Sequence, residues 1–263
     1  MLEREERLSN MLEFIRDHNN VSVSQLKTRF NVSAVTIRKD LDELMKTGFI
    51  VRTFGGAMPA LSNDPLESFN VRSRLRQSEK KLIGQAAAAL IKPMDSIIVD
   101  AGSTTLEIVR HLHKVRPVTV ITPAVNVAME ACAYPDVHVI MPGGGMLDRF
   151  TLSVEGGEAE ASMGRLHADK TFIGVRGVDF KHGLTDTDSR RIILKQTMIR
   201  AARQVIVVAD SSKLNQASLF DVAPLEDVHV IVTDQGVEPE VVEQFQQRGL
   251  EVVIASRTPA IVE

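Results

Sequence analysis

The 263-residue chain holds one cysteine, Cys132, which excludes an internal disulfide framework and a cysteine-rich zinc site. Lying in the Ala-rich stretch Val127 to Ala133, Cys132 is expected as a small core hydrophobe. No apolar run reaches the roughly 18 to 20 residues that a membrane span needs. The first ten residues, MLEREERLSN, are too charged for a signal peptide, so a cytoplasmic, nucleoid-associated location is expected. Neither a GxGxxG motif with its following acid nor a Walker lysine motif is present, which disfavours a dinucleotide or a nucleoside triphosphate. Histidine offers no metal site: His111 and His113 lack an acid-His partner nearby, and His18, His138, His167, His182 and His229 are scattered. No cofactor is expected. Strong basicity is missing too, and a net charge of −3 argues against bulk, sequence-blind binding of nucleic acid.

What is present is an ordinary globular composition, 44% hydrophobic and 25% charged, long enough for one small domain and one larger. Residues 21 to 57, VSVSQLKTRFNVSAVTIRKDLDELMKTGFIVRTFGGA, read as helix, tight turn, second helix and a Gly-ended hairpin. Ser24 marks one helix start ahead of Leu26 and Phe30, and Ser33 marks the next ahead of Val35, Ile37, Leu41 and Leu44. That spacing turns Thr36, Arg38 and Lys39 toward solvent, where a major-groove helix needs them. Gly48 is expected to end the helix, and Phe49 to Phe54 with Gly55-Gly56 to form a wing that lays Arg52 on DNA. From Lys27 to Thr53 six Lys and Arg face three acids, a net of +3 that suits an oligomer summing several half-site contacts.

Residues 58 to 68, MPALSNDPLES, read as a linker, followed by a basic run from Arg72 to Lys81 that leads into a helix over 79–91. Beyond it, near-continuous β-branched runs alternate with helical segments, as strands buried on both faces of a parallel sheet require. An α/β doubly wound, Rossmann-like domain follows, with ligands expected outside the carboxyl ends of the strands. Those ends collect Asp100, Gly102, Ser103 and Thr104, then Thr122 and Asn126, then Gly143 and Gly144. Lys170 flanks the next run, and Asp210 and Lys213 close another. Hydroxyls, free amide groups and lysines suit a phosphate, and Asp100 and Asp210 suit sugar hydroxyls.

The segment TIRKDLDELMKTGFIVRTFGGA resembles the recognition helix and wing of the DeoR-type bacterial transcriptional regulators. DAGSTT, TPAVN, MPGGG, DKTFIGVRGVD, GLTDTD and ADSSK resemble the successive blocks of that family's sensor domain, so the likeness covers nearly the whole chain. It implies a winged helix-turn-helix domain over 1–57, a linker over 58–75, and over 76–256 a sugar-phosphate sensor similar to ribose-5-phosphate isomerases. Operator contacts are implied for Thr36, Arg38, Lys39, Arg52 and Thr53, around helix starts at Ser24 and Ser33. Effector contacts are implied for Asp100, Gly102, Ser103, Thr104, Thr122, Asn126, Gly143, Gly144, Lys170, Asp210 and Lys213. Members commonly carry a glutamate a few residues after GLT, where this chain has Ser189-Arg190-Arg191. The departure leaves the sugar open and makes Arg190 or Arg191 a candidate contact for a second anionic group. The implied function is a repressor, dimeric or tetrameric, that a phosphorylated sugar or sugar alcohol releases from its operator. The alternative is an enzyme, a sugar-phosphate isomerase or deaminase with an appended helical domain, against which the missing glutamate and the intact DNA reader both weigh.

Overall fold

The computed structural model describes residues 4–18, 20–46, 50–59 and 69–256. They fall into two compact units, Met1–Gln77 and Ser78–Glu263.

In the first unit, apolar spacings of three and four give three helices: α1 (Arg4–His18), α2 (Val23–Phe30) and α3 (Ala34–Lys46). Their buried stripes meet in one core, with Leu8, Met11, Leu12 and Ile15 packed with Leu26 and with Ile37, Leu41 and Leu44. The start of α2 differs from expectation. Ser22, not Ser24, is the N-cap, forming a capping box with Gln25, while Ser24 lies exposed within the first turn. Asn31 ends α2 in the left-handed conformation, so the turn before α3 is Asn31-Val32-Ser33. Strands β1 (Val21–Ser22), β2 (Ile50–Thr53) and β3 (Gly56–Pro59) form a three-stranded sheet in the order β1-β3-β2. Gly55 has a φ of +86°, and a Cβ on Gly56 would lie 2.1 Å from the Val21 carbonyl oxygen, so the hairpin needs both glycines. The expected stop at Gly48 and residue Phe49 lie outside the described residues. So does 60–68 of the expected linker, but its ends are structured: Met58 and Pro59 belong to β3, and Phe69–Arg74 forms helix α4.

The second unit opens with α5 (Gln77–Ala88), β4 (Ser96–Val99), α6 (Ser103–Val109), β5 (Val118–Ile121), α7 (Val125–Ala131) and β6 (Val137–Ile140). A hairpin of β7 (Met146–Asp148) and β8 (Ser153–Glu155) precedes α8 (Gly157–Met163) and β9 (Ala168–Gly174). Then come β10 (Gly177–Asp179), β11 (Gly183–Asp186), α9 (Ile192–Arg200), β12 (Ala202–Val208) and β13 (Phe220–Ala223). The described chain closes with β14 (Val230–Asp234), α10 (Pro239–Gln247) and β15 (Glu251–Ala255). Seven of these strands form one sheet in the order β15-β14-β12-β9-β4-β5-β6, and every neighbouring pair is parallel. Ile97, Ile98 and Val99 are all fully buried, so both faces of the central strand are covered, as the continuous apolar run requires. Strands β10, β11 and β13 make a separate antiparallel sheet. Cys132 caps the end of α7 and is exposed, contrary to its expected place in the core. Only Ala128 and Ala131 of that turn face inward, and the stretch is too short to wrap a second side into the core. No helix among the described residues is long and apolar enough to cross a membrane.

Candidate functional site

On the first unit, α3 and the hairpin present a polar surface around a rigidly held helix. The Ser33 hydroxyl accepts the Thr36 N–H at 3.1 Å and lies 2.9 Å from the Thr36 hydroxyl, so Ser33 caps α3 and Thr36 is partly engaged in that cap. Arg38 and Lys39 are exposed one turn on. Val35 is not part of the core: its side chain is 60% exposed on the same face. The helix is anchored from behind by Asp40, a buried carboxylate that accepts from Arg7 Nε at 2.8 Å and Arg7 Nη2 at 3.3 Å. Hydrogen bonding to Asp40 raises the Arg7 guanidinium above its already high value. From the hairpin, Arg52 donates to Asp42 Oδ1 at 3.0 Å and to the Arg38 carbonyl at 3.4 Å, which lays β2 against the reader helix. Thr53 ends β2 half-buried, beside the fully exposed Phe54 of the turn.

On the second unit, the strand order makes a switch point between β4 and β9. From β4 the chain runs outward to β5 and β6, then returns to the other side as β9. Such a point opens a crevice at the carboxyl ends. Asp100 sits there, buried, accepting the Ala101 N–H at 2.7 Å and, across the switch point, the Gly174 N–H at 3.1 Å. Lys195 from α9 donates to Asp100 Oδ2 and, at 2.5 Å, to the Gly174 carbonyl, with Asp186 3.6 Å away. Arg191 pairs with Asp186 at 3.0 Å and approaches Asp188 at 3.5 Å, and Arg190 holds Asp188 at 2.8 Å. Burial pushes the Asp186 carboxyl up, but Lys195, Arg191, the Thr187 N–H and Arg176 outweigh it and hold the group below its ordinary value. Asp188 is held low in the same way, against its burial, by Arg190 and Arg191. Glu155 on the neighbouring hairpin goes the other way, raised by burial and then by Asp148.

Beside this chain of charges, Ser103 and Thr104 open α6 after Gly102 and are buried. Across the next strand, Thr122 is fully buried and its hydroxyl accepts the Ala124 N–H at 3.1 Å. Both polar atoms of the Asn126 amide are buried without a hydrogen-bond partner. On the outer flank Gly143 donates to Ser162 at 3.1 Å, and Gly144, with a φ of +82°, would place a Cβ 2.4 Å from a Glu158 oxygen. On the opposite flank Asp210 is buried, bonded by the Ser212 hydroxyl and 3.7 Å from Lys213.

Residues 75–235 match the DeoR C terminal sensor domain, and residues 7–62 match the DeoR-like helix-turn-helix domain. The putative aga operon transcriptional repressor of Escherichia coli O157:H7 is 34% identical over 95% of this chain and 93% of its own. The HTH-type transcriptional repressor GlcR of Bacillus subtilis (strain 168) is 32% identical over 97% of both chains. The chain belongs to the DeoR family of transcriptional regulators. Among solved structures it is similar to ribose 5-phosphate isomerase a from Methanocaldococcus jannaschii, with a TM-score of 0.39 and 18% identity over 52% of this chain and 54% of that one.

Within this DeoR-family regulator, the structure gathers Asp100, Gly102, Ser103, Thr104, Thr122 and Asn126 on adjoining strand ends, with Gly143 and Gly144 on one flank and Asp210 and Lys213 on the other. Lys170 is not with them. It lies near the amino end of β9, where its ammonium donates to Asp95 at 2.5 Å, about 13 Å of strand away from Gly174. The reason is register: Lys170 pairs with Ile97 at the start of β4, whereas Asp100 follows that strand's end. Lys195, Asp186, Asp188 and Glu155 were absent from the expected set. Lys195 carried a legible signal, because Arg191, Leu194, Lys195, Met198 and Ile199 fall on one buried helical face where a lone lysine needs carboxylate partners. Asp186 and Asp188 stand inside the GLTDTD block itself. Among the described residues no group of three or more His, Cys, Asp or Glu could hold a metal ion.

Proposed function

We propose that this regulator is a repressor of a carbohydrate-metabolism operon, working as a homo-oligomer, dimer or tetramer, on operator DNA in the cytoplasm. Arg38 and Lys39 of α3 face the major groove, with Thr36 beside them. Arg52 and Thr53 hold the wing to the flanking backbone. A phosphorylated sugar or sugar alcohol binds at the β4/β9 switch point and lowers operator affinity by favouring another arrangement of the assembly. Its phosphate meets the backbone and hydroxyls from Gly102 to Thr104, and its hydroxyls meet Asn126, Asp210 and Lys213, with Thr122, Gly143 and Gly144 shaping the walls.

The observation that carries this reading is the Asn126 amide, buried with neither atom bonded. An unsatisfied buried polar group costs about 1–3 kcal/mol, so it persists where a ligand completes it. The enzyme alternative fares worse. Lys195 donates to Asp100 and to the Gly174 carbonyl and lies 3.6 Å from Asp186, and Asp100 accepts from three groups, so both are engaged within the protein rather than poised to shuttle a substrate proton. Relatives such as GlcR are named as repressors.

A thermal-shift screen against phosphorylated pentoses, hexoses, amino sugars and sugar alcohols tests the proposal. A ligand at 100 times its Kd stabilises the native state by about 2.7 kcal/mol, a rise in Tm of about 5–10 °C. The same ligand must release operator DNA, and Asn126→Leu must abolish the shift while leaving the ligand-free Tm equal or higher. Silence across the panel, or an unchanged response in the variant, overturns the assignment.

A further inference from the structure

The reader helix carries an apolar side chain where solvent alone gives it no purpose. Val35 stands in the first turn of α3, one residue before Thr36 and two after the capping Ser33, and is 60% exposed, while Ile37, Leu41 and Leu44 are fully buried. A β-branched residue loses rotamer freedom in a helix, so an exposed valine here adds neither helix propensity nor burial. Its neighbours on the wheel are Arg38 and Lys39, three and four residues on, both exposed, and Asp42, seven on, which Arg52 neutralises at 3.0 Å. Val35 is therefore an apolar spot on a cationic face, at the end of the helix that enters a major groove first.

One group in the major groove matches it. Every base presents polar atoms there, and thymine alone adds a C5-methyl group. We infer that Val35 is a specificity residue, packing on the methyl group of a thymine in each operator half-site beside the base read by Arg38. The inference rests on the reading of α3 as the operator-reading helix. The Arg7–Asp40 pair fixes the rotation of α3 about its own axis, so Val35 and Arg38 address the groove in one register. The two contacts are complementary in kind: the guanidinium reads acceptors, the isopropyl group reads a methyl.

The test uses the full chain and a duplex recovered by selection from random-sequence DNA. Each thymine is replaced in turn by deoxyuridine, which removes the 5-methyl group and keeps every hydrogen bond. Wild-type protein is expected to lose about fourfold in affinity at one thymine per half-site, the factor that burying one methyl-sized group carries. Val35→Ala is expected to lose a similar factor on the unmodified duplex and to be indifferent to deoxyuridine at that position, with its Tm unchanged. Indifference of the wild type to every deoxyuridine, or full retention of the sensitivity in Val35→Ala, overturns the inference. Arg38→Ala on the same duplex separates the two levels. If it weakens binding while no thymine responds, Val35 is demoted and the reader helix stands. If it has no effect, or no duplex can be selected, the reading of α3 fails and the inference falls with it.

Discussion

At the scale of single residues, the charge chain from Asp100 to Arg190 converts position into sharp expectations. Lys195 is buried between two carboxylates, so Lys195→Ala leaves uncompensated charge inside the second unit and should lower unfolding stability by about 3–5 kcal/mol in urea titrations. The pH dependences of two acids have opposite signs. Asp186 is held below its ordinary value, so its contribution is complete above about pH 3.9 and disappears as the pH falls through its lower folded value. Glu155 is raised, so its contribution is complete below about pH 4.3 and is lost as the pH rises through its folded value. Melting curves of Glu155→Gln should therefore match the wild type near pH 4 and lie above it at pH 7. A lower Tm at pH 7 would show that the ionised carboxylate is instead held by a favourable partner.

At the scale of elements, the reader helix is positioned by contacts that sequence periodicity does not report. Arg7→Ala removes the close partner of the buried Asp40 carboxylate, leaving it the more distant Arg4 at 3.9 Å, and should cost about 3 kcal/mol, weakening operator binding through a loosened α3 although Arg7 lies on α1. The Arg52–Asp42 pair is more exposed and worth under about 1 kcal/mol. Asp42→Asn removes an acid from the exposed side of α3 that carries Arg38 and Lys39 and releases Arg52 from its ion pair, so on the proposed function it should tighten binding to operator and random duplexes alike and steepen the salt dependence by about one unit of slope. Filter-binding or anisotropy titrations from 50 to 200 mM salt read both effects. The same elements show where local signals mislead. Ser22 and Ser24 both precede Leu26, and the choice of cap went to Ser22 because β1 pairs with β3, placing Val21 and Ser22 in the sheet and Gln25 in reach of the cap. Val35 falls near the apolar period of α3, but among the described residues its side of the first turn is left 60% exposed, and so it stays in solvent.

At the scale of the whole molecule, with operator DNA and a sugar effector bound as proposed, the coupling between the two ligands is the regulatory quantity. An effector that lowers operator affinity by a given factor must itself be bound more weakly by the operator complex by the same factor. Titrating the thermal-shift hit against free and operator-bound protein should return two affinities whose ratio equals the ratio of operator affinities with and without effector. Unequal ratios would mean that the effector acts by changing the oligomeric state as well.

The sequence by itself determined the helix-turn-helix pair with its hairpin and the strands of the parallel sheet, because these follow from the period of apolar side chains and from turn chemistry that a few neighbouring residues dictate, whereas α1, the β7–β8 hairpin and the antiparallel sheet β10-β11-β13 were not read from it. It also named most of the carboxyl-edge groups, since strand ends are visible as the ends of apolar runs. Only the tertiary structure decided that Lys170 belongs to the far edge, that Lys195 closes the switch point from a helix 95 residues after Asp100, and that both polar atoms of the Asn126 amide are left without a hydrogen-bond partner among the described residues. Those outcomes depend on strand register and on the strand order β9-β4-β5, which bring distant segments within hydrogen-bonding range, and no local pattern encodes them.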